Sequence, residues 1–405
     1  MRSTNLFNLQ SRKSRFTSKP KGVFPMKKWI FPLLLIVAFV IGACAPAAAP
    51  APAESESAGG GEAAAPAVTS ERCGDPSKLD KEVSFYNWTD YIDEEIINMF
   101  QEECGVKIIY DTYSSNEDLL AKMQAGATGY DLIVPSDYMV SIMRQLDLLK
   151  ELDQNNIPNI ANINPLFTEA PYDPGNVYSV PYQWGTTGIG FDLDQLGAEP
   201  TSWAAIFDPK EAEAYKGKIS LLNDSRETIG AVLKYLGYSL NSTDPAQLEE
   251  AKQVLLTIKP YIAAFDSDSF DDLLVSGDTV IAHGWNGEFF KAMDENPDRN
   301  LGYIIPEEGG VIWTDTMAIP KTAPHPYTAE VLINYLLDPE IGAMLTNYNF
   351  YGSPNDASTP YILDEIKEDP GIYPSDETLA RMEFIADLGE TTLEYDRIWT
   401  EVKSQ

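Results

Sequence analysis

The sequence predicts an α/β protein of two lobes hinged around a cleft, on three observations. From residue 82 onward, short β-type runs alternate with helical runs; the alternation occurs in two separate blocks; and two extended segments, 182–191 and 311–320, flank the second block. Strands and helices alternating at this rhythm build parallel strands covered by helices. Extended crossings on either side of the second block carry the chain out of one lobe and back, which leaves a cleft able to hinge shut.

Taken in order, residues 83–88 read as a strand, 93–103 carry Ile96, Ile97 and Phe100 at helical spacing, and 107–111 read as a second strand. Ser115 followed by Asp118 resembles a capping box opening a helix that closes near Gly126, and 131–134 form a third strand running into Pro135. In the second block, 219–223 read as a strand, 227–236 as a helix stopped by Gly237, 246–259 and 270–275 as helices, and 279–283 as a strand. Lobe 1 is then expected at 79–186 and 316–350, and lobe 2 at 187–315 and 351–405. No internal repeat relates the two lobes.

Residues 1–43 differ from everything after them: they hold eight basic residues (Arg2, Arg12, Lys13, Arg15, Lys19, Lys21, Lys27 and Lys28) and no acid. The apolar run 29–43 ends in small residues and is shorter than the roughly 20 residues a bilayer-crossing helix needs, so it reads as a secretory signal with Met26 a candidate start. Ile41-Gly42-Ala43-Cys44 resembles a bacterial lipoprotein box, whose cysteine becomes the lipidated first residue; ordinary cleavage between residues 45 and 49 is the alternative. Residues 45–70, rich in Ala, Pro, Ser, Glu and Gly, read as a flexible tether, and 44–78 as a whole is expected to precede the fold. The expected location is the periplasm or extracytoplasmic face, with the lipid holding the protein to the membrane. Cys73 and Cys104 in an exported chain invite a disulfide, against the alternative of two unbridged thiols.

Subtracting those eight basic residues from 29 leaves 21 against 62 acidic ones, a mature net charge of −41. A phosphate backbone is repelled by such a surface and no basic stripe offsets it, so nucleic acid is excluded as a partner. A cationic ligand is attracted and its encounter accelerated, although acidity also serves an exported protein's solubility.

Acids and aromatic rings recur after the expected strands. FYNWTDY at 85–91 places Trp88, Thr89, Asp90 and Tyr91 past a strand's C-terminal end, where α/β sheets form ligand crevices. VPSDYMV at 134–140 offers Ser136, Asp137 and Tyr138; LLNDSRET at 221–228 offers Asp224 and Glu227; HGWNGE at 283–288 offers Trp285; and WTDTMAIP at 313–320 offers Trp313 and Asp315. A linear oligoamine needs carboxylates at the spacing of its ammonium groups and flat apolar walls for the methylenes between. These residue types supply both.

In order and spacing, FYNWTDY, VPSDYMV, NDSRET, WNG, EGGVIWTDTMAIP and YGSPN resemble the spermidine/putrescine-binding proteins of bacterial ABC importers, from about residue 79 to the C-terminus. The resemblance implies a type II periplasmic-binding-protein fold and delivery of a polyamine to separate permease subunits, with the protein acting as a monomer. It implies that Trp88, Thr89 and Tyr91 line one end of the cleft with Ser136 and Tyr138. Asp224 and Glu227 then hold a terminal ammonium, Asp315 meets the inner amine, and Trp285, Trp313 and Tyr351 form walls. Asp90 carries over less firmly, because the family varies there. One departure concerns the last helical region: Ile385, beside Phe384, stands where a spermidine binder carries glutamine, which leaves open the preference between spermidine and putrescine unless Asp137 faces inward and compensates.

Other roles for these residues stay open from sequence. The tryptophans also suit a core, and Asp224 and Glu227 also suit a helix N-cap and first turn, with Arg226 an ion-pair partner. Catalysis has little support. The two histidines are His283, expected to end a buried strand, and His325, in a turn between Pro324 and Pro326, and they build neither a triad nor a metal site. No P-loop or dinucleotide glycine pattern is present, so no cofactor is expected and the importer's energy comes from a separate ATPase. The alternatives are a binding protein for an amino sugar, a cationic amino acid or a metal chelate, and a carbohydrate-active enzyme, since paired acids with tryptophan walls also describe glycosidase clefts.

Overall fold

In the structure, a computed structural model that describes residues 71–404, one sheet of nine strands runs through both lobes. The strands are β1 (Glu82–Trp88), β2 (Lys107–Tyr113), β3 (Leu132–Ile133), β4 (Ser179–Asp192), β5 (Ile219–Leu221), β6 (Ile262–Phe265), β7 (Ile281–Trp285), β8 (Leu301–Ile304) and β9 (Ile312–Ala318). Their order is β2-β1-β3-β9-β4-β7-β5-β6, with β8 also on β4. The pairs of β1 with β2 and β3, and of β5 with β6 and β7, are parallel, as helix-covered units require. β4 and β9 run antiparallel to their neighbours because they carry the chain between lobes. Along β4 the partner changes midway: Thr186 pairs with Ile312 of β9 and Thr187 with Trp285 of β7.

Each lobe packs its own core. Val83 and Phe85 of β1 meet Ile96 and Phe100 of the helix Glu94–Cys104 in the first. Ile219 and Leu221 of β5 meet Ile229, Val232 and Leu233 of the helix Ser225–Tyr235 in the second. The glycines of β4 serve this packing. A Cβ on Gly190 would lie 2.2 Å from the Phe289 ring, so the helix Asn286–Glu295 can sit close on the strand only over a bare backbone.

Several boundaries differ from the sequence reading. The signal segment 1–43, Cys44 and the tether through residue 70 lie outside the described residues. The tether expected as far as residue 78 ends sooner, since Glu71–Cys73 is a turn of 3-10 helix and Arg72 pairs with Asp338 at 2.9 Å. The expected lobe division between 350 and 351 is crossed in the packing: Ile362, Ile366 and Ile372 cluster with Ala343 of the helix Pro339–Asn349, and Phe290 of the helix Asn286–Glu295 packs against the same cluster. The helix Thr392–Ser404 joins the second core through Tyr395 and Ile398. His283 lies inside β7 rather than at its end, fully buried with its ring edge-on to Trp203. Burial drives its pKa down to about 3, so it is neutral at physiological pH.

Cys73 and Cys104 form a disulfide with Cα atoms 5.3 Å apart, closing a loop of 31 residues from the start of the fold to the end of the first helix. A loop of that length removes about 3 to 4 kcal/mol of denatured-state entropy. Replacing both cysteines by serine therefore lowers the unfolding free energy by about that amount in urea titrations. A loss under roughly 1 kcal/mol would mean that the denatured chain is already restrained there.

Candidate functional site

The strand ends of both lobes open onto one cavity of about 620 Å³. All twelve expected residues line it: Trp88, Thr89, Asp90 and Tyr91 past β1; Ser136 and Tyr138 past β3; Asp224 and Glu227 past β5; Trp285 at the end of β7; Trp313, Asp315 and Tyr351. Two positions differ in kind from the expectation. Trp313 and Asp315 lie within β9, not after a strand, because β9 crosses antiparallel and presents its middle to the cleft.

Three carboxylates form the floor. Asp315 is 7% exposed and accepts from Ser136 Oγ at 2.6 Å and Tyr91 OH at 2.8 Å. Thr316 donates its N–H and Oγ1 to Pro135 O beside it, so β9 is pinned to the turn that carries Ser136. Glu227 is 5% exposed; its Oε1 accepts from Thr187 Oγ1 at 3.1 Å and Trp285 Nε1 at 3.2 Å, while Oε2 has no hydrogen-bond partner among the described residues. Asp224 is the N-cap of the Ser225–Tyr235 helix, its Oδ1 accepting from the backbone N–H of Arg226 and Glu227. That cap starts the helix two residues ahead of the expected 227 and brings Glu227 into its first turn.

Aromatic rings set the walls and fix one another. Tyr351 meets Trp313 and Tyr91 edge to face at 5.0 and 5.5 Å between centroids, and Trp285 meets Phe270 at 5.7 Å. Trp88 is held by its Nε1–H donating to Val134 O at 2.9 Å and by Tyr113 at 4.7 Å. Asp90 turns the chain after β1 in the left-handed region, at φ 51°, a conformation that a short polar side chain tolerates.

Twelve of the lining residues are Asp or Glu and none is Lys, Arg or His. Burial pushes the Glu227 carboxyl up to about 8, aided by Asp224, and Asp315 up to about 6. Glu288 rises to about 7 through burial and then Asp271, and Asp271 to about 6 through burial and then Asp272. Low-dielectric surroundings penalise the charged form, which raises each of these carboxyls toward the neutral acid.

The sequence reading missed Glu117, Asp118, Asp266, Asp268, Asp271, Glu288 and Asp396. Most sit in the first turn of a helix or just before it, where an acid suits the helix dipole and gives no separate signal. Asp137 lines the cavity, and each of its oxygens accepts one backbone hydrogen bond, Oδ1 from Tyr138 N and Oδ2 from Thr314 N at 3.0 Å. It thereby clamps β9 at the cavity wall. Ile385 is 8% exposed at the cavity wall, in a stretch that is neither helix nor strand, which corrects the helical setting expected for it. Arg226 is not an ion-pair partner of the site acids; its guanidinium donates to Ala386 O and Asn241 Oδ1 at 3.0 Å each and lies over the Tyr395 ring.

Residues 95–374 match the family of bacterial extracellular solute-binding proteins. The putrescine/cadaverine-binding protein of Pseudomonas aeruginosa is 37% identical over 327 residues, covering 78% of this chain and 92% of its own. The spermidine/putrescine-binding periplasmic protein of Escherichia coli K12 is 36% identical over 322 residues, 79% of this chain and 91% of its own. Among solved structures, a putative spermidine/putrescine ABC transporter from Listeria monocytogenes superposes with a TM-score of 0.75 at 36% identity, covering 80% of this chain and 99% of that one. The Tp0655 lipoprotein of Treponema pallidum gives 0.72 at 31% identity, covering 80% of this chain and all of that one.

Proposed function

This chain belongs to the bacterial extracellular solute-binding proteins, and on that premise we propose that it captures a polyamine, spermidine or putrescine, and delivers it to the permease of an ABC importer. The observation that carries the reading is the cavity itself: twelve carboxylate residues, aromatic walls and no basic side chain on its lining. An ammonium 4 Å from a carboxylate gains about 4 kcal/mol at an effective dielectric of 20, and an aromatic face adds roughly 0.5 to 2 kcal/mol. Micromolar binding requires about 8 kcal/mol net, so two or three acids backed by the rings suffice and rings alone do not.

Capture precedes closure in this scheme. The ligand meets one lobe, and closing adds the other lobe's carboxylates and excludes water, which strengthens each charge contact. Binding without chemical change agrees with a family of solute-binding transport proteins. The finer placement is part of the same proposal: a monomer, exported by the segment 1–43 and tethered through a lipidated Cys44. The lipoprotein-like Ile41-Gly42-Ala43-Cys44 supports it, as does the likeness to a protein that is itself a lipoprotein.

Calorimetric titration of residues 71–405 with putrescine, spermidine, lysine and an amino sugar tests the assignment. A polyamine is expected to bind at about micromolar affinity or tighter; lysine or the sugar binding more tightly than both polyamines would refute it. In the same experiment Ile385→Gln restores a hydrogen-bonding group at the wall and raises the spermidine to putrescine affinity ratio by about tenfold, the worth of one hydrogen bond to a charged group. An unaltered ratio would detach this position from selectivity.

A further inference from the structure

Glu117 stands on the cavity wall in the first turn of the helix Asn116–Gln124, which belongs to the first lobe through Leu119 and Met123. Tyr138 OH donates to its Oε1 at 3.1 Å. Acting on it electrostatically are two acids of the second lobe, Asp224 and Asp396, the latter on the helix Thr392–Ser404, and both line the same cavity. On the same lining as Asp224 stands Glu227, 95% buried, whose Oε2 has no hydrogen-bond partner among the described residues and whose carboxyl is more affected by Asp224 than by any other charge. A buried carboxylate oxygen with no donor, facing a cavity, is a group that lacks its ligand.

The helix alone accounts for one acid here, since a first-turn glutamate suits the positive end of the dipole. It does not account for acids of the opposite lobe lining the same cavity and acting on Glu117. Like charges from two rigid bodies repel when the bodies approach, and they attract a common cation placed between them. Arg226, the cation that acts on Asp224, has its guanidinium engaged with Ala386 O and Asn241 and does not line the cavity.

Resting on the polyamine reading, we propose that Glu117 is the first lobe's half of an ammonium-binding station completed by Asp224 and Glu227, so that one terminal ammonium bridges the lobes. Glu117 is thus a ligand contact.

Two substitutions test it, with spermidine and putrescine titrated calorimetrically into wild type, Glu117→Gln and Glu117→Asp. Glu117→Gln is expected to weaken both ligands about tenfold, whereas Glu117→Asp, which keeps the charge, stays within about threefold. The ligand-free Glu117→Gln variant melts no lower than wild type, so that a loss of affinity is not a loss of fold. Affinity of Glu117→Gln within twofold of wild type overturns the proposal, as does an equal loss in both variants, which would make shape and not charge the recognised property. If wild type binds neither polyamine, the functional reading fails first, and that result is distinct from either of these.

Discussion

Asp315→Asn lowers the affinity for spermidine and putrescine on the order of a hundredfold while leaving the ligand-free protein folded. The expectation follows from where the carboxylate sits. Both of its hydrogen-bond partners, Ser136 Oγ and Tyr91 OH, are hydroxyls, and hydroxyls donate or accept as they rotate. An asparagine amide can therefore keep two partners where the carboxylate had two, and the clamp of Thr314 to Asp137 and of Thr316 to Pro135 holds β9 in register regardless. What the variant loses is charge at a site 7% exposed, where water screens an ammonium little. Removing one member of a buried hydrogen-bonded charge pair costs about 2 to 5 kcal/mol, and about 3 kcal/mol is roughly a hundredfold. Calorimetry measures the affinity and a thermal melt checks the fold. Unchanged affinity would remove Asp315 from recognition, whatever the fate of the other acids.

The sequence made the site more legible than the fold's connections. The β1, β2 and β5 units were readable because their strands and helices carry distinct apolar periods, as in 93–103, where Ile96 and Phe100 do point into the core. The helices Pro326–Leu336 and Pro339–Asn349 were not, because the first is buried from Thr328 to Ile333 without a polar face and so shows no amphipathic stripe. β6 and β8 escaped for the opposite reason: four residues each, partly exposed, with no run long enough to register. At the site, the acids beside tryptophans were found through their strand-end context. Glu117, Asp271 and Glu288 were hidden by helix starts, where an acid is ordinary, and only the approach of two lobes gathers them into one cavity.

The same burial that makes the cavity selective makes its ligand compete with protons. Glu227 at about 8, Glu288 at about 7 and Asp315 at about 6 all lie above their ordinary values, with burial the first cause. A folded-state pKa raised above the unfolded one means that the fold holds protons the unfolded chain has released. The ligand-free protein therefore gains stability as pH falls from about 8 toward 5.5, by about 1.4 kcal/mol per pH unit for each proton retained. Neutralising part of the chain's net charge of −33 acts in the same direction, so this trend alone does not isolate the cavity. The ligand does. Aliphatic amines stay protonated throughout this range, so a polyamine needs the carboxylates ionised and must expel their protons. Affinity is expected to fall about tenfold per pH unit for each proton expelled, and the rise in melting temperature that the ligand confers to shrink between pH 8 and 5.5 while the ligand-free melting temperature climbs. Titrations at pH 7 in two buffers of different ionisation heat count the protons directly, with about one to two expected, chiefly from Glu227 and Glu288. A count of zero would mean that Glu227, Glu288 and Asp315 are ionised before the ligand arrives, and that the cavity is wet enough in the empty protein to keep them so.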